Sequence, residues 1–233
     1  MGVVIVTGGG RGIGAAVARQ VAREHVVVIG YAGDHDAAGR VVADVVRLFD
    51  EAATLGPLNG VVCNAGITGN TPGRLDEQDV AVVRRVLDVN VLGVFLCNRE
   101  AVRRMSTRYG GAGGAIVNIS STAAGRGSPG EWVHYAASKA AVESMTNGLA
   151  QEVAAEGIRV NAVAPGLFLT GRLQAMYDAM PEAERREVLD AIPLDRFPEL
   201  REVVDPVLFL AGEEASYITG VVLDVNGGRF MPL

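Results

Sequence analysis

Thr7-Gly8-Gly9-Gly10-Arg11-Gly12-Ile13-Gly14 stands between a β-branched run, Val3–Thr7, and a helical stretch from Ile13 to Arg23. A second apolar run, Val26–Ile29, follows the helix. Strand, glycine turn, helix and strand make a βαβ unit, whose crossover is expected to be right-handed. Glycine permits the tight turn and lets a pyrophosphate approach the backbone. The helix then offers its N–H groups and the positive end of its dipole to phosphate oxygens. Alone, a glycine-rich turn can also serve a purely structural end; its place directly after a buried strand favours nucleotide binding.

Outward from this unit the same alternation continues. Gly60–Asn64, Ala115–Ser120, Ile158–Val163 and Val221–Val225 read as buried strands. Helical patterns separate them, over about Asp36–Ala53, Glu77–Arg108, Glu131–Glu156 and Arg201–Leu210. Strands alternating with helices predict a three-layer, doubly wound, parallel α/β sheet of the Rossmann type, with residues 1–233 forming one domain. One segment fits poorly. Only 23 residues lie between Tyr31 and Leu55, room for a helix but hardly for helix, strand and helix.

The composition narrows the function. Hydrophobic residues are 49% of the chain, enough for a sheet covered on both faces. A net charge of −6 argues against a nucleic-acid surface. No run approaches the roughly 18 apolar residues of a membrane span, and a strand beginning after Met1-Gly2 leaves no room for a signal peptide. Cys63 and Cys97 lie in apolar runs and read as buried free thiols, which fits a cytoplasmic setting. His25, His35 and His134 show no metal-ligand spacing, so no metal is expected.

The glycine spacing, T-G-x-x-x-G-x-G, resembles the short-chain dehydrogenase/reductase family, and further motifs follow in that family's order. Cys63-Asn64-Ala65-Gly66 is similar to the N-N-A-G after the family's fourth strand, with Cys in the first place. Asn90, in Asp88-Val89-Asn90-Val91, matches the catalytic Asn of the long helix. Ser120-Ser121 ends the fifth strand. Tyr135-Ala136-Ala137-Ser138-Lys139 matches Y-x-x-x-K, and Pro165-Gly166 with Thr170 matches P-G-x-x-x-T.

The chemistry can be argued without the resemblance. Tyr135 and Lys139, at i and i+4, share one face of a helix. A free phenol has a pKa near 10, too high for efficient proton exchange at neutral pH, and a nearby ammonium favours the phenolate. The family's register implies that Ser121 holds the substrate oxygen while Tyr135 exchanges the proton; Ser120 is the competing candidate. The resemblance implies that Asn90 holds a water linking Lys139 to solvent. An Asn in mid-helix can instead satisfy a distorted backbone.

The resemblance implies an NADP(H)-dependent oxidoreductase that interconverts a carbonyl and a secondary alcohol by hydride transfer. Asn90, Ser121, Tyr135 and Lys139 are its expected catalytic residues. The cofactor contacts expected are Gly8, Gly10, Arg11, Gly12, Ile13, Gly14, Tyr31, Asn64, Ala65, Gly66, Tyr135, Lys139, Pro165, Gly166, Phe168 and Thr170. The end of strand two reads Gly30-Tyr31, with no carboxylate to bind a ribose 2′-hydroxyl. Arg11 can reach a 2′-phosphate as a charged fork, so NADP(H) is favoured over NAD(H). A solvated surface charge is the alternative reading of Arg11.

Residues 167–198 would fold over the nicotinamide as a lid, with Phe168, Leu169, Leu173, Met176, Tyr177 and Met180 as an apolar wall. The stretch 125–135 and the tail from Ala215 to Gly228 resemble the 3-oxoacyl-carrier-protein reductase and bacterial glucose dehydrogenase branches. This implies a small carbonyl or alcohol substrate and a homo-oligomer, a tetramer or dimer, packed through the helices at 77–108 and 131–156. A dinucleotide-binding regulator without turnover is the rival reading, and the short segment at 32–54 favours it. The family's third strand should lie in that segment. Val41–Val45 is its remnant, with Asp44 at the adenine, or the strand is lost to helix, or residues are missing there.

Overall fold

In a computed structural model, which describes residues 2–30, 38–169 and 172–230, six parallel strands form one sheet flanked by helices. The strands are β1 (Val3–Thr7), β2 (Val26–Gly30), β3 (Leu58–Cys63), β4 (Gly114–Ile119), β5 (Ile158–Pro165) and β6 (Val222–Val225). Their spatial order is β2-β1-β3-β4-β5-β6. The helices that cover them are α1 (Gly12–Val21), α2 (Ala38–Ala53), α3 (Val80–Leu87), α4 (Gly93–Met105), α5 (Ala123–Arg126), α6 (Val133–Val153), α7 (Arg172–Asp178), α8 (Glu182–Asp190) and α9 (Leu200–Ala211). The doubly wound α/β architecture expected from the sequence is present.

Period-two alternation divides the core between the two sheet faces. Val3 and Ile5 of β1 pack with Val61, Ile116 and Val160 beneath Phe49 of α2, Met105 of α4 and Val142 of α6. Val4 and Val6 face the other way, with Val62, Val117 and Val163, against Val17 of α1 and Val207 of α9. Because both faces are covered, the strands read as continuous apolar runs rather than alternating ones. All five residues of β1 are buried.

Strand β1 pairs with β2 on one side and β3 on the other. The chain therefore reverses direction of winding between β1 and β3, and the crevice at their C-terminal ends is where ligands of such sheets bind. The glycine turn leaves β1 at that crevice, and Asn64 leaves β3 beside it.

The tight segment resolves as helix. Residues 38–53 form α2, so Val41–Val45 is no strand remnant, and Asp44 pairs with Arg47 one turn on at 3.2 Å. Among the described residues the sheet ends at β2. The long pattern predicted over 77–108 is divided: α3 and α4 are joined by a π-helical turn, Asp88–Leu92. Two short helices, α7 and α8, lie in the segment expected to be a lid. Among the described residues, no helix is long and apolar enough to cross a membrane, and no three His, Cys, Asp or Glu side chains gather as a metal site.

Candidate active site

The glycine turn is held from below by two side chains. Thr7 Oγ1 accepts from the N–H groups of Asn64, at 3.1 Å, and Ala65, at 3.2 Å. The Asn64 amide donates to the carbonyls of Thr7 and Gly8 at 3.0 and 3.2 Å. Helix α1 starts at Arg11 without a side-chain cap, so its first N–H groups are left for another acceptor. At Gly12, with φ of +54°, an added Cβ would meet nothing within 4 Å. Its backbone faces open space. These features fit a pyrophosphate at the helix N-terminus.

Gly14 shows the opposite constraint. A Cβ there would collide with the Asn64 amide and lie 2.5 Å from the Gly8 carbonyl oxygen. Gly14→Ala is expected to cost about 1–3 kcal/mol of stability through overpacking and to weaken binding of a dinucleotide by displacing the turn. Thermal unfolding with and without a dinucleotide measures both, and an unchanged dissociation constant would contradict the assignment.

Tyr135 and Lys139 lie one turn apart near the start of α6, with Lys139 Nζ 5.8 Å from the centre of the Tyr135 ring. Ser121, just beyond β4, lies close enough to the Tyr135 phenol to favour its ionised form. Its hydroxyl also accepts from Ala123 N–H at 3.2 Å. Ser120 points elsewhere: its hydroxyl donates to Glu143 Oε1 at 2.7 Å. The geometry separates the two serines that sequence left in competition.

Electrostatics depart from the simple expectation. Burial pushes the Tyr135 phenol above its ordinary value, and the Ser121 hydrogen bond only partly opposes it. Lys139, 3% exposed, is lowered to about 8 by burial, with the Cys63 side chain pulling the other way. Its ammonium donates to the Ile119 carbonyl at 2.7 Å rather than lying free to act on the phenol.

Asn90 is fully buried in the π-helical turn. Its amide accepts from Ile67 N–H and donates to Ile67 O, each at 2.8 Å, and donates to Ser138 Oγ at 2.9 Å. It therefore pins the segment that leaves Gly66 to the widened helix, and such turns recur at functional sites. A Cβ on Gly66 would stand 3.3 Å from Lys139 Nζ and 3.4 Å from Asn90 Oδ1, so the three residues adjoin. Ser138 was not singled out from sequence. It donates to the Tyr135 carbonyl at 2.6 Å, and its place at i+3 from Tyr135 was the available signal.

The remaining expected contacts group as follows. Gly8, Gly10, Arg11, Gly12, Ile13 and Gly14 form the β1–α1 turn and the start of α1, with Arg11 exposed. Pro165 ends β5, Gly166 follows with its N–H donating to Val225 O at 2.9 Å, and Phe168 is half-buried beyond it. Tyr31 and Thr170 lie outside the described residues.

A family model described as enoyl-(acyl carrier protein) reductase matches residues 8–229. The uncharacterized oxidoreductase YgfF of Escherichia coli (strain K12) is 40% identical over 252 aligned positions, covering 98% of this chain and 100% of the relative. The chain belongs to the short-chain dehydrogenase/reductase family. Two 3-oxoacyl-[acyl-carrier-protein] reductases, from Rickettsia conorii and Staphylococcus aureus (strain Mu50), are each 37% identical across 97% of the chain, covering 96% and 97% of their own lengths. As a member of this family, the protein is an NAD(P)-dependent oxidoreductase of carbonyls and alcohols. The 252 positions aligned with YgfF exceed the chain's 233 residues by 19, so that many or more of them lack a counterpart here.

Proposed function

We propose that this protein uses NADP(H) to interconvert a small carbonyl compound and its secondary alcohol, with Tyr135 as the acid/base. The observation that carries the reading is Tyr135 with the buried Lys139 ammonium 5.8 Å from its ring, held by the Ile119 carbonyl at the C-terminal end of β4, where Ser121 follows. The bound nicotinamide supplies the hydride in reduction and accepts it in oxidation. Tyr135 Oη gives its proton to the substrate oxygen as the alcohol forms, and takes one back in the reverse direction. Ser121 Oγ donates a hydrogen bond to the same oxygen and stabilises the negative charge that develops there. Lys139 fixes the ring and favours the phenolate once it is charged. Asn90 and Ser138 hold the backbone that positions Lys139 and Tyr135.

At the other end, the β1–α1 turn receives the pyrophosphate and Arg11 meets the 2′-phosphate. The side chain of Arg11 is exposed beside the uncapped helix and free to reach an anion there. Arg11→Ala is expected to raise KM for NADPH about ten-fold, the scale of one charge-assisted contact, and to leave KM for NADH nearly unchanged. Equal rises for both would remove the preference.

Residues 167–198 are proposed to close over substrate. Tyr177 of α7 packs edge-on against Phe197 at 4.9 Å, which ties the segment's two halves together. A homo-oligomer through the helices at 77–108 and 131–156 is supported by Phe95, half exposed on α4. Two buried free thiols support a cytoplasmic protein. The direct test is a panel of ketones, aldehydes and 3-oxo esters with NADPH, followed by loss of its absorbance. Tight NADPH binding without oxidation by any member would overturn the reading.

A further inference from the structure

Gly66 leads into Ile67-Thr68-Gly69, a stretch of backbone that is tied to the catalytic groups at two points. The first is the Asn90 amide, bound to both backbone groups of Ile67. The second is His134, the residue immediately before Tyr135 on α6. Its Nε2 lies 3.0 Å from the Thr68 carbonyl oxygen, and the residue is buried, 4% exposed. A carbonyl can only accept, so Nε2 carries the hydrogen and donates it. Nδ1 is then the lone-pair nitrogen, and it finds no hydrogen-bond partner among the described residues.

Gly69 shows how closely the stretch is seated. Its φ is +87°, and a Cβ there would lie 2.6 Å from Val82 Cγ1, 3.3 Å from Val86 Cγ2 and 3.3 Å from His134 Nε2. Both valines belong to α3 and the histidine to α6, so the backbone threads between the two helices. An unpaired buried nitrogen is unfavourable, and leucine would fill the place of His134 without one. What histidine supplies there is the single bond to Thr68.

That bond has a geometric consequence. Tyr135 is bracketed in sequence by two residues that reach the same stretch of backbone. His134 binds Thr68 directly, and Ser138 accepts from the Asn90 amide that holds Ile67. Residues 64–66, proposed to contact the dinucleotide, run straight into that stretch.

We infer that His134 is a positioning residue for the reaction: through Thr68 it fixes the turn of α6 that carries Tyr135 against the backbone that receives the dinucleotide. Hydride and proton must reach the carbonyl carbon and oxygen in one geometry, and a displacement of about 1 Å can cost on the order of 10²-fold in rate. His134 exchanges no proton; it acts through Thr68 and through the peptide bond it shares with Tyr135.

The inference rests on the oxidoreductase reading, and two measurements keep them apart. The first is steady-state reduction of ethyl acetoacetate, or of the panel member that reacts fastest, with NADPH and with NADPH deuterated at the transferred position. H134L removes the bond to Thr68 together with the unpaired nitrogen, so Tm should change little. Its kcat should fall about ten-fold or more, with KM for the carbonyl and Kd for NADPH within about two-fold of wild type. The deuterium isotope effect on kcat should grow, because misaligned hydride transfer then limits turnover. H134Q keeps an N–H near the place of Nε2 and should recover kcat to within about three-fold, whereas H134N, whose amide stands near the place of Nδ1, should not. Wild-type kcat and isotope effect in H134L, or equal losses in H134Q and H134N, would overturn the inference and leave the oxidoreductase reading intact.

The second measurement needs no turnover. Amide hydrogen exchange on the NADPH complex should quicken across residues 67–73 in H134L and return towards wild type in H134Q. A wild type that oxidises NADPH with no carbonyl would overturn the oxidoreductase reading, and exchange would then judge the His134–Thr68 tie by itself. Quickened exchange in H134L would support the tie, and unchanged exchange would overturn it.

Discussion

Tyr135→Phe is expected to lower kcat for carbonyl reduction by about 10²–10⁴-fold, the usual contribution of a positioned general acid, while NADPH still binds. Phenylalanine keeps the ring that Lys139 Nζ approaches at 5.8 Å and removes only the phenol oxygen. Folding should therefore survive with a small change in Tm, and the loss should fall on kcat rather than on the dissociation constant of the cofactor. A direction-dependent pH profile should accompany it in the wild type. Burial raises the phenol above its ordinary value, so in the cofactor-free enzyme it is protonated at neutral pH and ready to donate. Oxidation needs the phenolate, so its rate should climb as pH rises, while reduction falls away at high pH. Activity of Tyr135→Phe within ten-fold of wild type would remove Tyr135 from the proton step.

Lys139→Met separates activity from stability more sharply. The folded-state value of about 8 lies below the unfolded value near 10.4, so burial disfavours the charged lysine. Below pH 8 the group is charged in both states, and its burial costs on the order of 3 kcal/mol. As pH rises from 8 to about 10.5 the unfolded chain holds the extra proton, and the cost fades. Methionine removes that penalty but leaves the Ile119 carbonyl without its donor, a loss of about 1–3 kcal/mol. The burial cost is the larger on balance. Cofactor-free Lys139→Met should therefore be the more stable protein at pH 7, and its advantage should shrink towards pH 10, while kcat falls by about 10²-fold or more. Paired Tm measurements across that range decide it. A difference in Tm that does not vary with pH would show that Lys139 carries no such burial cost.

Much of the fold was legible because period and punctuation agree along this chain. Every strand run predicted from sequence overlaps an observed strand, since buried parallel strands must be continuously apolar and their ends fall at glycine or polar turns. The helix over 77–108 was harder. Its pattern is periodic throughout, and the π-helical turn at Asp88–Leu92 exists because the buried Asn90 amide binds Ile67, 23 residues away in sequence. α7 and α8 were missed for another reason: the apolar residues of 172–190 read as the wall of a lid, and neither helix contributes a fully buried side chain among those described.

Residue type and spacing alone determined the glycine turn, the Tyr135–Lys139 pair and the order of the motifs around them. Those features are local, set by backbone freedom at glycine and by the 3.6-residue period of a helix. Only the tertiary structure decided what each polar group faces. It turned Ser121 to Tyr135 and Ser120 to Glu143, though the two serines are adjacent in sequence. It also directed the Lys139 ammonium to the Ile119 carbonyl, and laid the Phe230 ring of the tail against Gly125. The physical reason is that hydrogen bonds and desolvation depend on distances between segments far apart in sequence, which no local pattern encodes.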